Sequence, residues 1–391
     1  MSRLSAKTVR RWYRIHKWTS LLCTAFLLMA CITGLPLVFQ DELQPWIAPH
    51  TMPATVPPGT PDASLDRMVT EAKAHFPGLK PLFVAYDEDE PRVFVTLAPS
   101  LAPRQSELHS LVFDRHTGQT LDAIKPGNTF LSICLQLHRE IFAGVTGELV
   151  MALMGLLFVV ALISGVVVYG PFMRRLHFGT VRSHASRRVH WFDLHNLIGI
   201  VTLTWAFVVG ATGFLNGLAT PLFSLWRMQA MPALLAPYRG KPAPAHLASV
   251  DAVVATATKA LPEMTISSVT FPNAILASPL HYIVWTKGNS PVTSRLLTPI
   301  LIDAETGQIS AIKPLPWYLR TVEISRPLHF GDYGGLPLKI LWALFDVALI
   351  VVLLSGVYLW LSRRRTPIED ELNRLVVLEK KLAIVAGAAA P

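Results

Sequence analysis

Residues 149–170 read LVMALMGLLFVVALISGVVVYG, an apolar stretch of 22 residues without a formal charge. Residues 18–39 and 197–218 form two more uncharged stretches of the same length, and residues 336–361 form a fourth that contains one lysine and one aspartate. A helix needs about 20 apolar residues to cross the hydrocarbon layer of a membrane. The sequence therefore predicts an α-helical integral membrane protein with four transmembrane helices.

The composition agrees with a membrane protein that also carries water-exposed parts. Of the 391 residues, 51% are hydrophobic and 16% are charged, and the mean hydropathy is +0.41. The three cysteines form no Cys-x-x-Cys pair, which excludes zinc ribbons, thioredoxin-like motifs and covalently attached c-type haem. The sequence also lacks Gly-x-Ser-x-Gly, His-Glu-x-x-His and a Gly-x-Gly-x-x-Gly nucleotide fingerprint.

Basic residues predict the orientation of the four helices. They cluster before the first apolar stretch, between the second and the third, and after the fourth. Because basic residues near helix ends stay in the cytoplasm, both termini and the loop between the second and third helices should be cytoplasmic. The net charge of +9 is then a topology signal, and we expect no nucleic-acid binding. The residues are Arg3, Lys7, Arg10, Arg11, Arg14, Lys17, Arg174, Arg175, Arg182, Arg187, Arg188 and Arg363–Arg365.

The two segments on the other side of the membrane are too long to be connecting loops. In both, a helical pattern is followed by alternating runs typical of strands and by a turn, at residues 114–118 and 303–307. We therefore expect two small extracytoplasmic α+β domains. The predicted boundaries are 1–17 (N-terminus), 18–39 (first helix), 40–148 (first outer domain), 149–170 (second helix), 171–196 (cytoplasmic loop), 197–218 (third helix), 219–335 (second outer domain), 336–361 (fourth helix) and 362–391 (cytoplasmic tail).

The two halves of the chain resemble each other. RWYRIH at 11–16 matches HWFDLH at 190–195, and a Thr-Gly pair begins 17 residues after the last histidine of each. A Leu-His pair in each half is followed, 26 residues after its histidine, by a Ser-Gly pair. These spacings predict a tandem duplication in which each unit is helix, outer domain, helix. The matched pairs are Thr33–Gly34 and Thr212–Gly213, Leu137–His138 and Leu328–His329, and Ser164–Gly165 and Ser355–Gly356.

Four histidines hold matched places in this repeat. His16 and His195 lie at the cytoplasmic side, whereas His138 and His329 lie at the outer side, so each pair is related by a pseudo-twofold axis. Two imidazoles so related have the axial geometry of a bis-histidine haem, with the helices providing an apolar slot. An interfacial role is the alternative for any single histidine. Zinc or copper is the competing metal, but two histidines without a nearby matched carboxylate or thiolate make a poor zinc site. The cations predicted to meet the haem propionates are Arg11, Arg14, Lys17, Arg139 and Arg326.

Other residues in the predicted helices have less specific explanations. Asp346 is an acid deep in a span, and either a functional role or a hydrogen bond between helices explains it equally well. Cys23 and Cys31 are predicted to pack. The glycines of the Thr-Gly and Ser-Gly pairs are predicted to let helices approach closely.

The tandem arrangement, the Asp-x-x-Thr-Gly-Gln turns and the contexts of His16 and His195 resemble the PepSY-associated transmembrane family, from about Lys7 to Arg365. This family of iron-regulated bacterial inner-membrane proteins includes FoxB-like ferrisiderophore reductases. The resemblance implies two PepSY-like domains in the periplasm and two haem b groups. It also implies that His16, His195, His138 and His329 are the axial ligands.

The resemblance further implies an oxidoreductase that passes single electrons to a periplasmic ferric siderophore. Hard oxygen ligands hold Fe(III) far better than Fe(II), so reduction would release the iron. With no nucleotide fingerprint, the electron donor is expected to be a cytoplasmic partner or membrane quinol. Two alternatives remain open: a PepSY-type binding or regulatory module that restrains a periplasmic peptidase, and a small transporter.

Overall fold

The computed structural model describes residues 5–47, 49–101, 103, 107–124, 129–173, 177–238, 240–242, 244–274, 278–290, 293–362 and 377. Arg3, Arg174, Arg175, Arg363–Arg365 and nearly all of the predicted cytoplasmic tail therefore lie outside the described residues. The chain divides into two units. The helical unit comprises Met1–Gln40, Ile133–Leu218 and Ser325–Pro391, and the sheet unit comprises Asp41–Ser132 and Ala219–Ile324.

The order of helices and strands in the first half recurs in the second half. The helices are α1 (Ala6–Val38), α2 (Gln40–Ile47), α3 (Leu65–His75), α4 (Phe130–Glu140), α5 (Gly144–Met173), α6 (Arg187–Gly217), α7 (Ala219–Leu235), α8 (Val250–Ala260), α9 (Trp317–Phe330) and α10 (Gly335–Leu361). The strands are β1 (Lys80–Tyr86), β2 (Arg92–Ala98), β3 (His109–Asp114), β4 (Thr120–Ile124), β5 (Met264–Thr270), β6 (His281–Gly288), β7 (Leu297–Asp303) and β8 (Ile309–Ile312).

Four helices in the described part of the chain are long and apolar enough to cross a membrane, namely α1, α5, α6 and α10. Each packs on two of the others, α1 on α5, α5 on α6, α6 on α10 and α10 on α1. Their shared core includes Cys23, Phe158, Trp205, Leu349 and Leu353. The prediction of four membrane-spanning helices is therefore confirmed at the level of length and composition.

Two of these helices begin well before the predicted apolar stretches. The side chain of Ser5 accepts a hydrogen bond from the backbone N–H of Thr8 and caps α1. The side chain of Ser186 accepts one from the backbone N–H of Val189 and caps α6. Serine at this position satisfies N–H groups that would otherwise lack partners, so the polar segment before each apolar stretch is also helical. As a result, His16 lies inside α1.

The strands form one continuous antiparallel sheet in the order β4-β3-β2-β1-β5-β6-β7-β8. The two outer segments, which the sequence predicts to be separate domains, therefore share one sheet. They join where β1 pairs with β5, with Phe83 opposite Thr270, Val84 opposite Val269 and Ala85 opposite Ser268. In two separate sheets β1 and β5 would each be an edge strand with unpaired N–H and C=O groups, and their pairing leaves only β4 and β8 as edge strands.

Helices α3 and α8 cover one face of the sheet and cap each other. Asp66 in α3 accepts hydrogen bonds from the backbone N–H of Val250, at 2.8 Å, and from the Ser249 hydroxyl at the start of α8. Asp251 in α8 accepts from the backbone N–H of Leu65, at 2.7 Å, and from the Ser64 hydroxyl at the start of α3. Each helix thus supplies the carboxylate that satisfies the first turn of the other.

The predicted turns are present at both ends of the sheet. Asp114 accepts hydrogen bonds from the backbone N–H groups of His116 and Thr117, and Asp303 does the same for Glu305 and Thr306. The glycines that follow, at 118 and 307, have φ angles of 69° and 68°. Such positive angles favour glycine, so each turn requires the residue that the sequence provides.

Candidate functional site

The four matched histidines all belong to the helical unit, and their rings are held in the same way. In each, the ring nitrogen Nδ1 lies 2.8 to 3.1 Å from a backbone carbonyl oxygen of a facing helix. A carbonyl only accepts, so Nδ1 carries the proton and Nε2 keeps a free lone pair. Metal-binding histidines are commonly oriented by such a bond. The pairs are His16 with Ala161, His138 with Ala30, His195 with Val352 and His329 with Val209.

A glycine makes room for each imidazole. A Cβ atom added to Gly34 would lie 3.0 Å from Cε1 of His138, and one added to Gly165 would lie 3.1 Å from Cε1 of His16. A Cβ atom added to Gly213 would lie 3.1 Å from Cε1 of His329, and one added to Gly356 would lie 3.4 Å from Cε1 of His195. The sequence predicted that these glycines bring helices together. The structure corrects this, because what approaches them is a histidine ring.

Hydroxyl groups next to three of these glycines add a second contact. The oxygens of Thr33, Thr212 and Ser355 lie 3.3, 3.2 and 3.0 Å from Nδ1 of His138, His329 and His195. Each hydroxyl donates its own proton to a carbonyl in the preceding turn of its helix, so its oxygen accepts from Nδ1–H. The Thr-Gly and Ser-Gly pairs therefore form parts of the histidine sites.

The centres of the His138 and His329 rings are 6.1 Å apart, with a 66° angle between their planes. Two imidazoles that bind one metal ion from opposite sides would have ring centres roughly 6 Å apart, given metal–nitrogen bonds of about 2 Å. Burial lowers the pKa of both histidines and so favours the neutral form that metal binding requires. The separation of the two ring centres is therefore compatible with one metal ion bound by both histidines.

His16 and His195 both line a single cavity of about 540 Å³ between the four long helices. The walls of this cavity are mainly apolar, with Phe158, Leu162 and Val352 among them. Polar side chains occur around it as well, and they include the amine of Lys17 and the guanidinium of Arg188. A flat apolar group that carries carboxylates matches this combination in both size and polarity.

Two buried nitrogens at this cavity lack hydrogen-bond partners among the described residues. They are Nε of Arg188 and the amide Nδ2 of Asn196, and both residues line the cavity. The other guanidinium nitrogens of Arg188 donate to Ser362 and to the carbonyl of Leu359, which fixes its position. Unsatisfied buried donors are costly unless a ligand accepts from them. The residues at this site therefore fit haem, whose propionates are acceptors.

The basic residues predicted to meet the haem propionates lie in different places. Lys17 lines the cavity, whereas Arg11 and Arg14 are exposed side chains outside its lining. Arg139 forms an ion pair with the buried Glu148, and Arg326 lies in α9 three residues before His329. Sequence reasoning missed two residues of this site, Arg188 as a cavity residue and Asn196. Asn196 was detectable, because it follows His195 as Lys17 follows His16.

Asp346 has a neighbour that the sequence did not reveal. The thiol of Cys31 lies beside its carboxylate, and the carboxylate oxygen Oδ2 is buried without a hydrogen-bond partner among the described residues. Cys31 is a buried core residue, as predicted, and it also makes this polar contact. Within the described residues, no three His, Cys, Asp or Glu side chains converge in a group that could hold a metal ion.

Residues 13–363 match the family model described as the PepSY-associated TM region. The chain therefore belongs to the PepSY-associated transmembrane family, which confirms the resemblance seen in the sequence. It is also 27% identical over 285 residues to a protein of Pseudomonas aeruginosa named "Uncharacterized protein PA4219". That alignment covers 66% of this chain and 71% of the relative. The comparisons establish a membrane protein of this family.

Proposed function

We propose that this chain is a di-haem b reductase of the bacterial inner membrane that carries single electrons outward to a periplasmic ferric siderophore. One observation carries the proposal: four histidines, in two pairs, present a free Nε2 through the same bond from Nδ1 to a carbonyl. A histidine that merely lies at a membrane interface has no need of a fixed tautomer.

The two pairs are separated along the membrane normal. On α1, His16 belongs to one pair, and Ala30, whose carbonyl holds His138, belongs to the other. These two positions are 14 residues apart in an unbroken helix, or about 21 Å at about 1.5 Å per residue. A separation of this size, within a hydrocarbon layer about 30 Å thick, suits two centres near opposite faces.

His16 and His195 would hold one haem, and His138 and His329 would hold the other, each through Nε2. Haem b supplies an iron that gains and loses one electron at each pair. Lys17, Arg188 and Asn196 would bind the propionates of the first haem, and this orients the group in the cavity. The apolar walls keep water away from the iron, and the bonds to Nδ1 prevent the rings from turning.

The charge distribution supports an orientation with the His16–His195 pair at the cytoplasmic side. Electrons would then enter from a cytoplasmic partner or from membrane quinol. They would leave at the His138–His329 pair, which would lie near the periplasmic face. Ferric iron in its chelate is the substrate, and its reduction to Fe(II) weakens binding by hard oxygen ligands. The matched halves support an origin by tandem duplication.

The visible spectrum of the detergent-purified protein tests this proposal. Low-spin haem b gives a Soret band that shifts on reduction with dithionite, and a pyridine haemochrome assay should give two haems per chain. Replacing any one of the four histidines by alanine should remove one haem. His190→Ala is the matched control, since His190 lies on α6 one turn before His195 and outside the cavity lining.

Substrate reduction needs a separate assay. The protein is placed in vesicles that contain a reductant, a ferric hydroxamate is added outside, and Fe(II) is trapped by a coloured ferrous chelator. The wild type should form ferrous chelate, and the His138→Ala variant should not. A colourless protein purified from haem-sufficient cells contradicts the proposal as a whole.

A further inference from the structure

Two matched positions in the helical unit are glycines in one interhelical contact and polar residues in the other. Gly155 and Asp346 each lie ten residues before the glycine of a Ser-Gly pair, and Gly210 and Cys31 each lie three residues before the glycine of a Thr-Gly pair. Where α5 packs on α6, a Cβ on Gly155 would lie 3.2 Å from the carbonyl oxygen of Gly210. Where α10 packs on α1, a carboxylate and a thiol take the places of the two glycines.

One oxygen of the Asp346 carboxylate, Oδ2, is buried with no hydrogen-bond partner among the described residues. The thiol of Cys31 lies beside this carboxylate. A charge in the membrane interior is costly unless it is compensated, and an acid there is a functional candidate by default. Oδ2 is therefore an open position at which a proton can bind.

The position of Asp346 connects it to both histidines of the outer pair. Its neighbour Cys31 directly follows Ala30, whose carbonyl accepts from Nδ1 of His138. One turn before Asp346 on α10, the indole Nε1 of Trp342 donates to the carbonyl oxygen of His329, at 3.2 Å. Cys31 and Ala30 thus lie between Asp346 and the His138 ring, and Trp342, one turn from Asp346, is bonded to the backbone of His329.

Few other titratable groups face Asp346. Cys31 faces it from α1. Helix α6 contributes Trp205, which packs on Trp342 and Phe345 and does not titrate. On α10 itself, Lys339 lies two turns earlier on the same face and is buried. A charge that appears at the outer pair therefore acts in a region of low dielectric, where such interactions are strong.

We propose that Asp346 is a proton-binding site that takes up one proton when the centre held by His138 and His329 gains one electron. The inference rests on the proposed function. The balance is one electron and one proton: an electron from a one-electron donor reduces ferric iron to ferrous iron, and water supplies the proton. The proton forms an O–H bond at Oδ2 of the carboxylate, so the net charge of the site is unchanged. Oxidation by the ferric substrate reverses both steps.

A redox titration of the full-length protein, followed by its visible spectrum at a series of pH values, tests this site. One proton per electron lowers the midpoint potential by about 59 mV per pH unit, since a tenfold change in equilibrium constant for one electron is about 59 mV. We expect this slope for the component that His138→Ala abolishes. Asp346→Asn should make the slope flat, and Asp346→Glu, which keeps a titrating group, should retain it.

Infrared spectroscopy gives a second readout, with each spectrum scaled to the haem content of the variant. The reduced-minus-oxidised difference spectrum of the wild type should show a carboxylic acid band that is missing from Asp346→Asn. A wild-type potential that does not change with pH, or an Asp346→Asn protein with the wild-type slope and band, overturns the inference while the haem spectrum leaves the proposed function standing. A protein without haem overturns both.

Discussion

At the scale of single residues, the space beside each imidazole is the feature most open to test. Gly165 contacts the His16 ring, whereas Gly170, on the same helix, has nothing within 4 Å of an added Cβ. Gly165→Val should push the His16 ring off its carbonyl, because its Cβ alone would already lie 3.1 Å from the ring. We expect the haem count to fall from two per chain towards one, and the haemochrome assay measures it.

Gly170→Val is the matched control for that substitution. Both changes place a β-branched residue in the C-terminal half of α5, and valine costs no more in a helix than glycine. The control should therefore keep two haems per chain. Equal losses in the two variants would mean that helix packing, and not the histidine ring, explains the requirement for glycine at position 165.

The histidine sites were predictable from the sequence as far as the repeat reached. Matched spacing identified His16, His138, His195 and His329 together with their glycines. This was possible because each histidine and its glycine occur at corresponding positions in both halves of the chain. The contact between Cys31 and Asp346 was not predictable, since in the other half the matched positions are glycines. A pattern found by comparing two halves does not reveal what only one of them contains.

At the scale of helices, the crossing of α5 and α6 depends on small residues. A Cβ on Gly155 would lie 3.0 Å from the backbone nitrogen of Phe214, and backbone cannot move aside as a side chain can. Gly155→Leu should therefore separate the two helices and destabilise the protein by about 1–3 kcal/mol, as overpacking does. Thermal unfolding in detergent measures this, and Gly170→Leu should leave the midpoint close to that of the wild type.

Elements with a clear pattern were predicted, and elements without one were missed. Strands β1, β2 and β3 contain short, mainly apolar runs and were predicted within a few residues of their ends. Strands β4 and β8 were missed, since they lie at the edges of the sheet and most of their residues are partly or fully exposed. Helices α1 and α6 begin before the apolar stretches because serine caps, and not hydropathy, decide where they start.

At the scale of the whole molecule, the exchanged caps between α3 and α8 link residues that are far apart in the sequence. Asp66→Ala and Asp251→Ala should each destabilise the sheet unit by about 1 kcal/mol, the usual cost of losing an N-cap. Urea unfolding followed by tryptophan fluorescence measures this in the full-length protein. Glu305→Ala, at an exposed side chain of the same unit, should change the stability by less than about 0.5 kcal/mol.

The sheet unit should also be sensitive to acid. Burial raises the pKa of Asp114, but hydrogen bonds from the backbone N–H groups of Thr117, Ala54 and His116 outweigh it and hold the pKa below its usual value. A group with a lowered pKa stabilises the fold above its unfolded-state pKa of about 3.9, and the stability is lost as the pH falls through the folded value. Unfolding should therefore become easier below about pH 4.

The Asp114→Asn variant distinguishes the contribution of this carboxylate to acid sensitivity from that of the other acidic residues. The variant should be less stable than the wild type at neutral pH and should lose less stability between about pH 5 and about pH 3, as measured by urea unfolding. The pKa of Asp303 is also lowered, because burial raises it but the hydrogen bonds of its turn lower it by more. If Asp114→Asn and the wild type lost equal stability, the pKa of Asp114 would not differ between the folded and unfolded states.

The pairing of β1 with β5 has a consequence for the size of chain that this architecture requires. Val84 lies opposite Val269, and the residues on either side of them pair in reverse order, so the junction is self-complementary. The carboxylate caps are exchanged in the same reciprocal manner. Interfaces of this isologous kind also form between identical subunits. A protein with half this number of residues can therefore build the same sheet and both histidine pairs as a homodimer, with one ligand of each pair from each subunit.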